Sequence, residues 1–288
     1  MQRCLKLTGE QPIFRAMQNQ PHLTDRAALD RNRTRADLQD AMFLHALAQE
    51  EIQDRLSMVN KGFTRPAVVT GFPSVWERCV PNAKVVADTE VLALETGAHD
   101  LVIHAMGLHW ADDPVGQIIQ CRRALENDGF FLAVCFGGQT LHQLRASLAQ
   151  AEVELTGGLS PRVAPMAEIR DLGGLLQRAG LSLPVADTAP LTVTYESPWA
   201  LMKELRAMGE GNALQNRLRT ATSRSLMIRA CEIYVESFMK NGRIPATFEL
   251  IYLTGWAPDD SQPQPLRPGS ATNRLADALG ASEIKLPK

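Results

Sequence analysis

The chain has 288 residues, enough for one large domain or for one domain with a sizeable insertion. Hydrophobic residues make up 45% and charged residues 22%, an ordinary globular balance, and no run of about 18 uncharged apolar residues reads as a membrane span. A net charge of −2 lacks the basic excess of a general nucleic-acid binder. The five cysteines are scattered without a C-x-x-C pair or a Cys/His cluster, which speaks against a metal site and a disulfide framework and for a reducing compartment.

Residues 1–20 lack the apolar centre of a secretory signal. Arg3, Lys6 and Arg15 against Glu10 bear a weak likeness to a transit peptide, and a frayed start with Met17 as initiator is the plainer reading. Residues 22–33 are polar and rich in Arg and Asp, so 1–35 reads as an arm. From Ala36 to about Asn60, Leu44, Ala48, Ile52, Leu56 and Val59 recur every three or four positions, which predicts an amphipathic helix. Short strands follow at Ala67–Gly71 and Ala83–Asp88.

The most informative stretch is His99–Trp110, an apolar strand that stops at a small-residue loop carrying His109 and Trp110. A helix from Pro114 to about Glu126 and a second apolar strand, Phe130–Phe136, complete one strand–helix–strand crossover. Asp113 is a natural N-cap with Pro114 at the first helical position. Thr140 with Gln143 reads as a capping box for a helix Leu141–Leu155. A loop at Gly157–Arg162 and a helix Met166–Ala179, stopped by Gly180, come next. Leu191–Tyr195 alternates like a strand, and 197–240 reads as a helical insertion with helices Pro198–Met208 and Leu218–Lys240. Ala246–Leu253 is the last strand of a domain over 36–256, and 257–288 is a coil tail with a short helix near Asn273–Leu279.

Ligands of open α/β sheets bind beyond the carboxyl ends of the strands, where Met106–Trp110 belongs. His109 there suits a general base or a group that orients a substrate, with Trp110 beside it. The alternative is a His109 bonded to backbone and a Trp110 packed under the sheet. His104, in mid-strand, reads as a core histidine. Arg162 and Arg145 suit bidentate contact with an anionic or backbone-rich protein substrate, or are ordinary surface arginines. Tyr195 and Glu210 lie where the insertion would cap the site and face a substrate.

The run HDLVIHAMGLHWADDPVGQIIQCRRALENDGFFLAVCFGG resembles class I S-adenosylmethionine (SAM) methyltransferases. More closely it resembles the branch of the mitochondrial complex I assembly factor, of arginine-hydroxylase type, and its alphaproteobacterial relatives. The likeness continues through FGGQTLHQLR, GGLSPR, RDLGGLLQRAG, LMKELRAMGEGNAL, ATFELIYLTGW and QPLRPGSATNRLADAL. The resemblance implies a Rossmann-like α/β fold, SAM as cofactor, a protein substrate or respiratory-complex subunit as partner, and a role in complex I assembly. It also implies a bacterial cytoplasm, or the mitochondrial matrix in a eukaryote.

The cofactor half departs from that pattern. A SAM site of this class has a D-x-G-x-G-x-G loop whose glycines let backbone approach the ligand, followed about 20 residues later by an acid for the ribose. Here the loop is Val69-Thr70-Gly71-Phe72-Pro73-Ser74-Val75-Trp76, with one glycine and a proline at the turn. Only 17 positions separate Gly71 from Asp88, so roughly one crossover is missing and the fold is shortened in its N-terminal half. Asp88 aligns best as the adenine-side acid, because Glu90–Leu94 runs straight into the next strand; the other alignment makes it the ribose acid. Gly71, Asp88 and Met106 are the cofactor-side candidates, and an exposed strand-end Asp88 would contribute little to stability. Two readings follow: a SAM-family enzyme acting on a protein side chain, or a non-catalytic assembly scaffold that has lost SAM. Either way the glycine-poor turn predicts SAM binding weaker than about 10 μM.

Overall fold

The computed structural model describes residues 22–263. The expectations for residues 1–21 and for a helix near Asn273–Leu279 lie outside the described residues. Within them a six-stranded mixed sheet runs β2-β1-β3-β4-β6-β5. Its strands are β1 (Pro66–Thr70), β2 (Lys84–Ala87), β3 (His99–Ala105), β4 (Leu125–Phe136), β5 (Ser182–Tyr195) and β6 (Ile244–Trp256). The first four are mutually parallel, and β6 and β5 join antiparallel. This is a class I methyltransferase-type α/β fold with one strand fewer beyond β1 than the doubly wound order 3-2-1-4-5-6 provides.

All seven residues of β3 are buried, as a central parallel strand covered on both faces must be. Alternation divides its neighbours. Val68, Leu101, Ile103, Leu132 and Val134 face one layer with α2 (Phe43–Met58), α5 (His142–Thr156), α7 (Pro198–Ala207) and α8 (Arg224–Phe238). Ala67, Val69, Val102, Phe131 and Ala133 face the other, with α4 (Pro114–Ala124) and α6 (Ile169–Arg178). His104 points into that second layer, buried, its Nε2 2.7 Å from Gln117 Oε1, and it is the core histidine expected. Asp100 accepts from the backbone N–H groups of Thr64 and Arg65 and so fixes the start of β1 beside β3.

Two local readings change. Residues 26–34, read as part of an arm, form a helix, α1 (Arg26–Thr34), capped by Asp25 through Ala28 N. Thr140 and Gln143 do not cap α5, whose N-cap is Leu141 in the left-handed conformation without a side-chain bond. Thr140 instead accepts from Glu249 N, and Gln143 donates to Thr247 Oγ1, fastening α5 to β6. The cap at Asp113 holds, with its carboxylate accepting from Gly116 N at 2.8 Å.

Candidate functional site

The carboxyl ends of β1 to β4 lie on one edge of the sheet and deliver Gly71, Asp88, Met106–Trp110 and Gly137–Thr140 there. Across this edge runs α1, tied at both ends. Upstream, Leu23 N and Thr24 N donate to Asp112 Oδ1, and Asp25 pairs with Arg217 and Arg219. Downstream, Asn32 donates to Gly211 O, and Asp37 N to Ala207 O.

That placement brings Arg33 to Asp88. Arg33 Nη1 and Nη2 donate to Asp88 Oδ1 and Oδ2, both at 2.8 Å, and Arg26 Nη2 adds a bond to Oδ1 at 2.7 Å. Asp88 is 2% exposed and Arg33 8%. Burial alone would raise the Asp88 carboxyl, but the two guanidiniums outweigh it and hold the group below the ordinary range. The exposed strand-end acid expected from sequence is therefore a buried, doubly paired one. The alignment changes too. Because β2 lies directly beside β1, Asp88 takes the sheet position of the ribose acid, although Thr89–Leu94 leads on to β3 as an adenine-side segment does.

A Cβ built on Gly71 would fall inside the Arg33 guanidinium, and one on Gly107 would meet Asp88 Oδ2. Both glycines are required by close approach, but what approaches is the chain itself. The cofactor implied by the sequence, SAM, does not fit this arrangement. Arg33 fills the space over Gly71, both Asp88 oxygens are engaged, and Pro73 opens α3 (Pro73–Trp76) without an N–H to offer.

A cleft of about 200 Å³ lies between Trp110 and helices α5 and α7. Trp110, Phe136, Leu144, Met166, Leu205 and Phe248 give it an apolar wall, with Glu210, Arg162 and Arg206 as charged groups. The Glu210 side chain is 8% exposed. Its Oε2 accepts from Trp110 Nε1 at 2.9 Å and lies 3.4 Å from His109 Nε2, while Oε1 is buried without a partner. Burial opposes ionisation of Glu210, but His109, Arg33 and the indole N–H hold it below the ordinary carboxylate range. His109 packs edge-on against Phe136, ring centroids 4.8 Å apart. Behind them His45 accepts from Trp76 Nε1 at 2.9 Å, and burial pushes its imidazole down to about 4.

The structure thus gathers His109, Trp110 and Glu210 at one point and Gly71 and Asp88 at another. Arg162 lines the cleft but is locked, with Nε and Nη2 on the two Glu152 oxygens. Tyr195 is buried at the end of β5 and does not line the cleft. Met106 has a left-handed backbone at φ 51° and is 1% exposed, so its side chain belongs to the core. Sequence reasoning missed Arg33, Arg26 and His45. The one available signal was the spacing of Arg26 and Arg33, seven apart and so on one face if that segment is helical. Among the described residues no three His, Cys, Asp or Glu side chains group closely enough to hold a metal ion.

A family model described as a methyltransferase domain matches residues 69–133. The chain is 38% identical over 199 residues to the mitochondrial arginine-hydroxylase NDUFAF5 of Danio rerio, covering 69% of this chain and 62% of that one. It is 39% identical over 194 residues to the Homo sapiens protein of the same name, covering 67% and 56%. The chain therefore spans under two thirds of the length of these relatives. Among solved structures it is similar to the YcgJ protein from Bacillus subtilis, at 12% identity and a TM-score of 0.46, covering 74% of this chain and 99% of that one. No helix among the described residues is long and apolar enough to cross a membrane. By sequence the chain is a relative of the arginine-hydroxylase NDUFAF5 proteins, with a methyltransferase-domain match over residues 69–133.

Proposed function

We propose that this protein recognises an arginine-bearing segment of a respiratory complex I subunit and acts in assembly of that complex, with recognition rather than SAM-dependent transfer as its role. The observation that carries this reading is Glu210, a buried carboxylate whose Oε1 has no partner at the wall of an aromatic and aliphatic cleft. A guanidinium is the natural complement of such a site. It offers planar N–H donors to a carboxylate, its face stacks on aromatic rings such as Trp110 and Phe136, and it loses hydration more readily than an ammonium. The relatives' name, arginine-hydroxylase, points to the same side chain. Trp110 and His109 hold Glu210 from behind, so the carboxylate is oriented before a partner arrives. Arg162, fixed on Glu152, gives the cleft a rigid cationic rim suited to the partner's backbone carbonyls.

The test is calorimetric titration with peptides from complex I subunits, each arginine peptide matched by its citrulline counterpart, together with complementation of a deletion strain. The arginine peptide should bind at least about tenfold more tightly than citrulline, a difference of about 1.4 kcal/mol, and Glu210→Gln should erase the difference. Equal affinity for both peptides, or full complex I assembly in the deletion strain, would remove the proposal.

A further inference from the structure

The place that doubly wound folds reserve for a nucleoside contains, in this chain, a guanidinium. In such folds the acid at the end of the strand beside β1 accepts two hydrogen bonds from a ribose diol, while backbone glycines let the ligand lie close. Arg33 reproduces that pattern point by point. It donates two parallel N–H groups to the two oxygens of Asp88, both at 2.8 Å. Its guanidinium rests on Gly71, where no side chain has room, and its Cζ lies 5.6 Å from the centre of the Phe72 ring. Asp88 in turn packs on Gly107, the small residue after β3. Arg26 closes the outer side by donating to the Asp88 backbone carbonyl and to Oδ1.

We propose that Arg33 is a built-in occupant of the nucleoside place. The chain keeps the methyltransferase frame by pairing Asp88 with its own guanidinium, and α1 is a fixed structural element of that frame and not a lid over a cofactor. Three features support permanence. The helix is tied at both ends, to Asp112 and the 213–219 segment and to Ala207 and Gly211. Arg33 is 8% exposed, and its guanidinium lies where a Cβ on Gly71 would stand, in direct contact with the loop. The short 71–88 interval also leaves β2 as the edge strand among the described residues, with no further strand there to shape a nucleoside pocket. This inference extends the proposed function without depending on it, because peptide recognition rests on Glu210.

The experiment uses the full chain, titrated with SAM and with S-adenosylhomocysteine, and chemical rescue of an Arg33→Ala variant. Wild type should show no saturable heat with either nucleoside up to about 1 mM. Arg33→Ala should melt lower than wild type, and methylguanidinium should restore at least about 2 °C of the loss while leaving wild type and the Arg33→Ala/Asp88→Ala double variant unmoved. If Arg33→Ala does not accumulate as a folded protein, Arg33→Lys is used; its single ammonium cannot span both oxygens, and methylguanidinium should again raise its melting point selectively. Binding of SAM by wild type at micromolar concentration would overturn the proposal, since α1 would then be a movable lid. Failure of methylguanidinium to stabilise the folded variant would overturn it equally.

Discussion

Arg33 and Asp88, 55 positions apart in the chain, form a two-pronged ion pair that is almost wholly withdrawn from water. Such a pair is held less by its attraction than by the cost of separating it. Each charge, left alone in the interior, would have lost its hydration without compensation.

Asp88→Ala should therefore destabilise the protein by about 3–5 kcal/mol, because it leaves Arg33 buried and unpaired. Replacing both members, as in Arg33→Met with Asp88→Leu, should recover more than half of that loss. Urea unfolding of the three variants measures it. A near-neutral Asp88→Ala would mean that Arg33 escapes to solvent on its own.

His45 makes stability depend on pH. Its folded value of about 4 lies below the ordinary 6.5, because burial disfavours the imidazolium, with Glu210 opposing and His109 and Arg33 adding to the shift. Between those two values the unfolded chain binds the proton and the folded one does not, so this contribution is present above pH 6.5 and lost as pH falls toward 4. The full loss is of the order of 3 kcal/mol. His45→Gln keeps an acceptor for the Trp76 indole and should flatten the wild-type slope of unfolding free energy in that window. An unchanged slope would assign the pH dependence to other groups.

Trp110 and Glu210 should behave as a coupled pair. Trp110→Phe keeps the ring surface in the cleft but removes the N–H that satisfies Glu210 Oε2. The expected loss is about 1–3 kcal/mol, the penalty of leaving a buried acceptor unsatisfied. In a double-mutant cycle with Glu210→Gln the two effects should fail to add by at least about 0.5 kcal/mol. Simple additivity would show that the indole N–H has another partner.

Arg162→Ala should loosen one rim of the cleft without unfolding the domain. Arg162 and Ser160 together hold the Glu152 carboxyl down at about 2, with Arg162 the larger cause, and the same bonds fix the 157–162 loop. Because the carboxyl is depressed, this tie is present above its ordinary 4.5 and lost as pH falls toward 2. Limited proteolysis at neutral pH should cut the variant near Gly157–Gly158 several-fold faster than wild type, at a melting temperature close to wild type. Equal protease resistance would show the loop is held by other contacts.

Much of the frame was legible because it rests on local chemistry. His99–Ala105 reads as a strand from its near-continuous apolar run, and it is the fully buried central strand. Asp113-Pro114 marks a helix start by capping geometry that involves only neighbours. The shortage of sequence between Gly71 and Asp88 already announced a missing crossover, and among the described residues β2 does lie beside β1 as the edge strand. The family motifs from His99 onward were likewise readable as residues in order.

The arm was misread for a physical reason. The buried positions of α1 are Ala28, Leu29 and Arg33, and one of these three is charged, so the periodicity that announces an amphipathic helix is broken by the residue that matters most. Arg33 is interior only because Asp88 comes to meet it. In the same way Glu210 gains its role from Trp110, 100 positions away, which supplies the N–H that makes a buried carboxylate tenable. The sequence by itself determined strand and helix runs, the shortened cofactor half and the family, since these depend on short-range patterning. Which charges are paired inside, and hence that the nucleoside place is filled by an arginine, was decided only by the tertiary structure. Burial of a charge is set by what the fold brings opposite it, and no local pattern encodes that partner.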